Sequence, residues 1–203
     1  MKRRSRCLSS GLLAFFLSWG ANSASLAATP THQIKETVDS VLAVIQDPTK
    51  VGEAKKAERR EMLRGLLLPR FDFPEMAKRS LGSHWKNHNG KQEEYVSVFT
   101  DFMENSYIGI VESFKEGKIV FVRERVDKDF AEVDTRVLPL KEQPLSITYK
   151  LHLVGGEWKI YDVVIETVSL VNNYRSQFNR IISSASFDEL LRKLREKISE
   201  TGS

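Results

Sequence analysis

The stretch "GGEWKIYDVVIETVSLVNNYRSQF", residues 155–178, changes character half-way along, from strand to helix. From Trp158 to Val164, one face of a period-two strand carries Trp158, Ile160, Asp162 and Val164, and the other carries Lys159, Tyr161 and Val163. Neither face is cleanly polar, as the outer face of an exposed antiparallel strand would be. The stretch holds no nucleophile–base pair, no metal-ligand spacing and no phosphate loop, so its apolar excess implies burial on the second face too.

Upstream, three more segments share the period of two: "KIVFVRERV", "FAEVDTRVL" and "LSITYKLHLV". The middle one alternates strictly, with Ala131, Val133 and Val137 on one side and Glu132, Asp134 and Arg136 on the other. Turn signals at Asp127-Lys128-Asp129, Gln143-Pro144 and Gly155-Gly156 join the four. Connections this short require antiparallel pairing, because a parallel crossover takes about a dozen residues. The last two strands are richer in apolar groups than one sheet face needs, which predicts an interior deeper than one packed layer.

Helical periodicity surrounds the sheet. Thr29-Pro30 starts a helix with Ile34, Val38, Val41, Leu42 and Ile45 on one stripe, stopped by Asp47-Pro48. A charged linker, "KVGEAKKAERR", leads to a helix through Met62, Leu63, Leu66 and Leu67, ended by Pro69. Asp72-Phe73-Pro74-Glu75 opens a short helix closed by Gly82, with "HNGKQ" as a loop after it. The longest pattern carries Tyr95, Val98, Phe99, Phe102, Met103, Tyr107, Ile110, Val111 and Phe114 at three- and four-residue steps and ends at Gly117. Beyond the strands, "VSLVNNYRSQFNRII" returns to helix, and a capping box from Ser186 to Glu189 opens the last one. The expected fold is α+β: a four-stranded curved antiparallel sheet packed with helices.

The first 28 residues stand apart. Lys2, Arg3, Arg4 and Arg6 precede an apolar run around Leu12 to Trp19, and Ser25-Leu26-Ala27 offers a small-residue cleavage site, so residues 1–28 read as a signal peptide and 29–203 as a single domain. The run is short for a bilayer span. Arg6 stands where a twin-arginine signal wants an apolar residue, which favours ordinary export. The whole chain holds 31 basic and 27 acidic residues; the four basic residues of the signal leave 27 of each, so the expected mature protein is formally neutral. That balance offers no clustered basic footprint for nucleic acid. Cys7 also lies in the signal, which leaves a cysteine-free mature chain that depends on its core rather than on disulfides.

No catalytic or metal constellation stands out. His84 and His88 have i, i+4 spacing but no glutamate companion, and "HWKNHNG" reads as a solvated helix end, so no metal and no cofactor is expected. A G-x-S-x-G elbow is absent. Asp162, between Tyr161 and Val163, stays open to two readings: a buried general base of a cone-shaped fold, or a structural carboxylate accepting from a backbone amide or from Arg175. The stripe of the longest helix is open too, as packed core or as the wall of a cavity filled by an acyl chain.

The strand-to-helix stretch, with "FDFPEMAKRSLGSHW" and "YVSVFTDFMENSYIGIVESF", resembles the MlaC, or toluene-tolerance auxiliary, family of exported phospholipid-binding proteins, from about Leu63 to Leu194. Its most specific part is the G-x-W-x-[IV]-Y-D-[VI] strand followed by V-S-L at Val168 to Leu170; Thr167 departs from it, standing where the family often has glycine. The resemblance implies a cystatin-like or NTF2-like cone enclosing an apolar cavity. It further implies a soluble, periplasmic, non-enzymatic and monomeric carrier. Such a carrier takes phospholipid between the substrate-binding component of an inner-membrane ABC transporter and an outer-membrane lipoprotein–porin complex, maintaining outer-membrane lipid asymmetry. Matching positions place lipid contacts at Leu145, Ile147, Tyr149 and Leu151 on the third strand. Trp158, Ile160 and Val164 follow on the fourth, Val168 and Leu170 at the turn, and Phe99, Phe102, Met103 and Tyr107 on the long helix. Val168 would stand at the rim where tails enter. Burying roughly thirty methylenes is worth on the order of 24 kcal/mol at about 0.8 kcal/mol each, so tails need enclosing while the head group can stay exposed. The rivals are a cone-fold isomerase or cyclase using Asp162, a filled structural adaptor, and a carrier of another amphiphile such as a hopanoid.

Overall fold

The computed structural model describes residues 28–50, 52–114, 116–139 and 143–201; the signal-peptide reading of residues 1–28 therefore falls almost wholly outside the described residues. Four helices come first: α1 Pro30–Ile45, α2 Lys56–Leu67, α3 Phe73–Leu81 and α4 Gln92–Ser113. Strands β1 Gly117–Asp127, β2 Phe130–Pro139, β3 Leu145–Val154, β4 Glu157–Ile165 and β5 Val168–Ser169 follow, and α5 Leu170–Ser184 and α6 Phe187–Thr201 close the chain.

The strands form one antiparallel meander in the order β1-β2-β3-β4-β5. The fold is the expected α+β arrangement with one strand more. Val168 and Ser169, read from periodicity as the first turn of a helix, pair instead with Ile165 and Val164. Glu166 at φ 54 makes the tight turn that permits it, and its carboxylate accepts from Ser146 N at 2.7 Å. Only then does α5 begin, with Ser169 Oγ accepting from Asn172 N as the N-cap. Three further boundaries move: the charged linker is already helical from Lys56, α4 stops at Ser113 rather than Gly117, and "HNGKQ" lies largely within a 3-10 segment over Gly82–Lys91. That segment is joined to α3 by Gly82 at φ 55.

A bulge explains the mixed faces of β4. Lys150 pairs with Asp162 and Leu151 with Ile160, so Tyr161 is the extra residue and the parity of the strand flips there. Trp158, Ile160 and Val163 consequently belong to one buried cluster with Ala131, Val133, Leu151 and Ile34 of α1. Tyr161 turns to the opposite face, where Phe130 and His152 meet its ring edge and Arg79 stacks over it at 4.2 Å. A second cluster is all-helical, built on Met76, Tyr95, Phe99, Phe102, Val171, Phe178 and Leu190 from α3 to α6. A third joins Val41, Val44 and Ile45 of α1 to Leu63 of α2 and Ile108 of α4. Arg59 and Arg60 of α2 both pair with Glu112 of α4, and Arg64 pairs with Glu104, which fixes α2 along the end of α4.

Candidate functional site

Helix α1 belongs to two of these clusters and bridges the space between them. Thr29 Oγ1 caps it by accepting from His32 N, and Pro30 supplies a first-turn residue that needs no donor. Two bonds tie its first turn to the sheet: Thr31 N donates to Glu124 Oε2 at 2.7 Å, and Trp158 N donates to Gln33 Oε1 at 2.8 Å. Ile34 is then buried against the sheet, and Val41, Val44 and Ile45 are buried against α2 and α4. Between these contacts Val38 and Leu42, on the same stripe, are only half-buried.

They face a cavity of about 660 Å³. One wall is α1, with Ile34, Val38, Val41, Leu42 and Ile45; the opposite wall is the sheet, with Ile119, Val137, Leu145, Ile147, Tyr149 and Ile160. Ile110, Val111 and Phe114 at the end of α4 line one end, and Leu67, Arg70 and Phe71 also contribute to the wall. From Ile34 to Ile45 the α1 stripe spans about 16 Å at 1.5 Å per residue. Ile110, Glu116 and Gln143 are exposed, which opens the cavity to solvent where α4 gives way to the sheet. Its size falls within the roughly 300–1,000 Å³ of small-molecule sites. Sealed and empty, 660 Å³ would cost on the order of 16 kcal/mol at about 24 cal/mol per Å³, more than the whole stability of most domains. Apolar walls hold water poorly, so the space suits an apolar occupant.

The polar groups in the wall are few. Thr37 Oγ1 donates to Gln33 O and Ser113 Oγ to Ile110 O, so both are spent on the backbone of their own helices. Burial pushes the Tyr149 phenol up from its ordinary value, which keeps it protonated, and Thr135 lies beside it as a partner. Asp162 does not line the cavity. Its Oδ2 accepts from Ser169 Oγ at 2.7 Å and its Oδ1 from Val171 N at 3.1 Å, while the Arg175 guanidinium sits instead against Gly82. His84 bonds Asn179, His88 stacks on Phe187, and no group of three metal-ligating side chains occurs among the described residues.

Of the positions singled out in the sequence, Leu145, Ile147, Tyr149 and Ile160 share the cavity wall. Leu151 and Trp158 lie beneath it, buried in the sheet cluster. The bulge turns Val163 rather than Val164 onto the face of Ile160. Phe99, Phe102 and Met103 are packed inside the all-helical cluster, with Tyr107 against it and its hydroxyl 3.0 Å from that of Tyr174. Leu170 packs between the helical and sheet clusters, and Val168 is 51% exposed outside the cavity. Sequence reasoning placed the α1 residues on one stripe and gave that stripe no part in the site, although it supplies a whole wall. The available signal was its breadth, since Val38 and Leu42 add apolar surface beyond what packing on α2 and β4 consumes.

The family model described as MlaC protein matches residues 35–196, a span that runs from within α1 to within α6. The chain belongs to the MlaC family. Among its MlaC relatives is the intermembrane phospholipid transport system binding protein MlaC of Haemophilus influenzae, 24% identical over 147 residues, which are 70% of this chain and 69% of that one. A phospholipid-binding protein from Ralstonia solanacearum, solved in complex with a phospholipid, has a similar fold with a TM-score of 0.76. It is 23% identical, and the match covers 87% of this chain and all of that one. No helix among the described residues of this MlaC family member is long and apolar enough to cross a membrane.

Proposed function

We propose that the protein is a periplasmic phospholipid carrier, exported by a signal peptide over residues 1–28 and folded as one lipid-binding domain over 29–203. The observation that carries the reading is the apolar cavity between α1 and the sheet, long enough to lie along acyl chains and open to water at one end. The names of the two relatives support it, since one is a binding protein of an intermembrane phospholipid transport system and the other binds phospholipid. The carrier encloses the tails against the walls formed by α1 and by Leu145, Ile147, Tyr149 and Ile160, and it leaves the head group in water. It moves lipid between an inner-membrane ABC transporter complex and an outer-membrane lipoprotein–porin complex, and so maintains outer-membrane lipid asymmetry. It performs no catalytic step. Asp162, the carboxylate best suited to act as a base, is held by Ser169 and Val171 away from the cavity, which favours a carrier over a cone-fold isomerase.

The test is denaturing extraction of the purified protein followed by lipid mass spectrometry. Near-stoichiometric phospholipid is the expected result. A hopanoid or another amphiphile in its place would keep the carrier and change the cargo, and an extract with no amphiphile would overturn the reading.

A further inference from the structure

The cavity has two unlike ends. Where α4 gives way to the sheet it opens to water past Ile110, Glu116 and Gln143, all three exposed. At the other end the lining stops at Ile34 of α1 and Ile160 of β4, which are 2% and 3% exposed. Both belong to the buried cluster that also holds Ala131, Val133, Leu151 and Trp158, and none of those four reaches the cavity, so packed core stands directly behind the two isoleucines. This end is pinned as well as filled. Trp158 N donates to Gln33 Oε1 at 2.8 Å, which ties the residue before Ile34 to β4. Asp72 N donates to Ile160 O at 2.8 Å, beside the backbone bridge from Phe71 to Ile160. Parting Ile34 from Ile160 would break the first of these bonds and uncover the cluster.

The helix and the sheet each measure the depth from the open end to this stop. Along α1, Ile45 to Ile34 is about 16 Å at 1.5 Å per residue. Along β3, Leu145, two residues beyond the exposed Gln143, stands six residues before Leu151, the partner of Ile160, which is about 20 Å at roughly 3.3 Å per residue. A fully extended backbone covers about 3.6 Å for three bonds, or about 1.2 Å a bond, so an extended hydrocarbon chain of about 14 to 17 carbons fills that depth.

We infer that Ile34 and Ile160 set the longest tail that the carrier encloses: the terminal methyl groups of a phospholipid come to rest on them, and the tails run out along α1 and β3 to the open end. This rests on the carrier reading and deepens it, since it names the cargo class as phospholipids whose tails do not exceed about 17 carbons. In a membrane every methylene is buried whatever the length of the tail, so a lipid that fits loses nothing by moving into the cavity. Each methylene left in water at the open end weakens loading about four-fold, the equivalent of about 0.8 kcal/mol.

The test offers delipidated protein fluid vesicles that contain, in equal amounts, phosphatidylcholines with two identical monounsaturated tails of 14, 16, 18, 20 or 22 carbons, and identifies the bound lipids by mass spectrometry at equilibrium. Head group and vesicle are common to all five, so the bound profile reports tail length alone. Wild type should take up the 14- and 16-carbon lipids most strongly and the 20- and 22-carbon lipids roughly ten-fold less or lower still. Ile34→Ala and Ile160→Ala each remove carbons from the stop, and either variant, folded by circular dichroism, should raise the uptake of the 20-carbon lipid several-fold relative to the 16-carbon one. A wild-type profile flat from 14 to 22 carbons would overturn the inference whether or not either variant folds, as would a folded alanine variant with the wild-type profile. Wild type that takes up no lipid of any length fails at the carrier reading itself, whereas a loaded protein with a flat profile fails only here.

Discussion

Asp162 shows how one buried carboxylate joins the sheet to a helix. Ser169 Oγ donates to it and also caps α5 by accepting from Asn172 N, while Val171 N donates to the other oxygen, so the acid closes a small network at a helix N-terminus where negative charge is favoured. Asp162→Asn keeps the shape and weakens the acceptor, and it should lower stability by about 1–3 kcal/mol in urea denaturation while extracted lipid stays the same. Lost function at unchanged stability and lipid content would restore the base. A backbone amide was one of the partners legible in the sequence, but Arg175 was the other, and spacing alone does not separate them. What decides is Gly82: at φ 55 and with no Cβ, it lets the Arg175 side chain lie where an added Cβ would meet Nε at 2.5 Å. Gly82→Ala therefore combines left-handed strain with a clash, and should cost about 1 kcal/mol or more in the same measurement. An unchanged denaturation midpoint would mean that both the backbone at Gly82 and the Arg175 side chain relax freely in the variant.

At the scale of elements, β4 decides which side chains meet the cavity. Period-two reading places Trp158, Ile160, Asp162 and Val164 on one face, and it holds as far as Ile160, where the bulge at Tyr161 exchanges the faces. The bulge has no signature in the sequence beyond the mixed faces themselves, because it arises from the register with β3. The same limit applies at Val168, whose helical context hides a two-residue strand. A paired substitution tests the resulting placement. Ile147→Glu puts a carboxylate on the cavity wall, where an unpartnered charge and a hydrocarbon tail exclude each other, and water entering from the open end keeps the fold intact. It should abolish copurifying phospholipid with near-wild-type circular dichroism. Val168→Glu changes a side chain that is 51% exposed outside the cavity and should retain its lipid. The reverse pattern would move the lipid-binding wall to the strand-to-helix turn.

For the whole molecule, the meander was legible because turn signals punctuate four alternating segments, and the helices because their apolar stripes repeat over several turns. The hollow between them was not, since a stripe that packs and a stripe that lines a cavity have the same spacing. Phe99, Phe102 and Met103 on α4 pack into the helical cluster, whereas Val38 and Leu42 on α1, given no site role from the sequence, face the cavity. The difference lies in what stands opposite each helix, a property of the assembled fold. On the proposed carrier reading the interior is completed by its cargo, and stability therefore depends on loading. A ligand present at about a thousand times its Kd stabilises the native state by about 4 kcal/mol. For a domain of this size each kcal/mol moves Tm by about 2–4 °C, so stripping the lipid should lower the midpoint by roughly 8–16 °C. Differential scanning calorimetry before delipidation, after it, and after reloading from phospholipid vesicles measures this directly, and reloading should restore the original transition. A melting point indifferent to all three treatments would mean that the cavity closes on itself when empty, and that α1 settles onto the sheet without lipid between them.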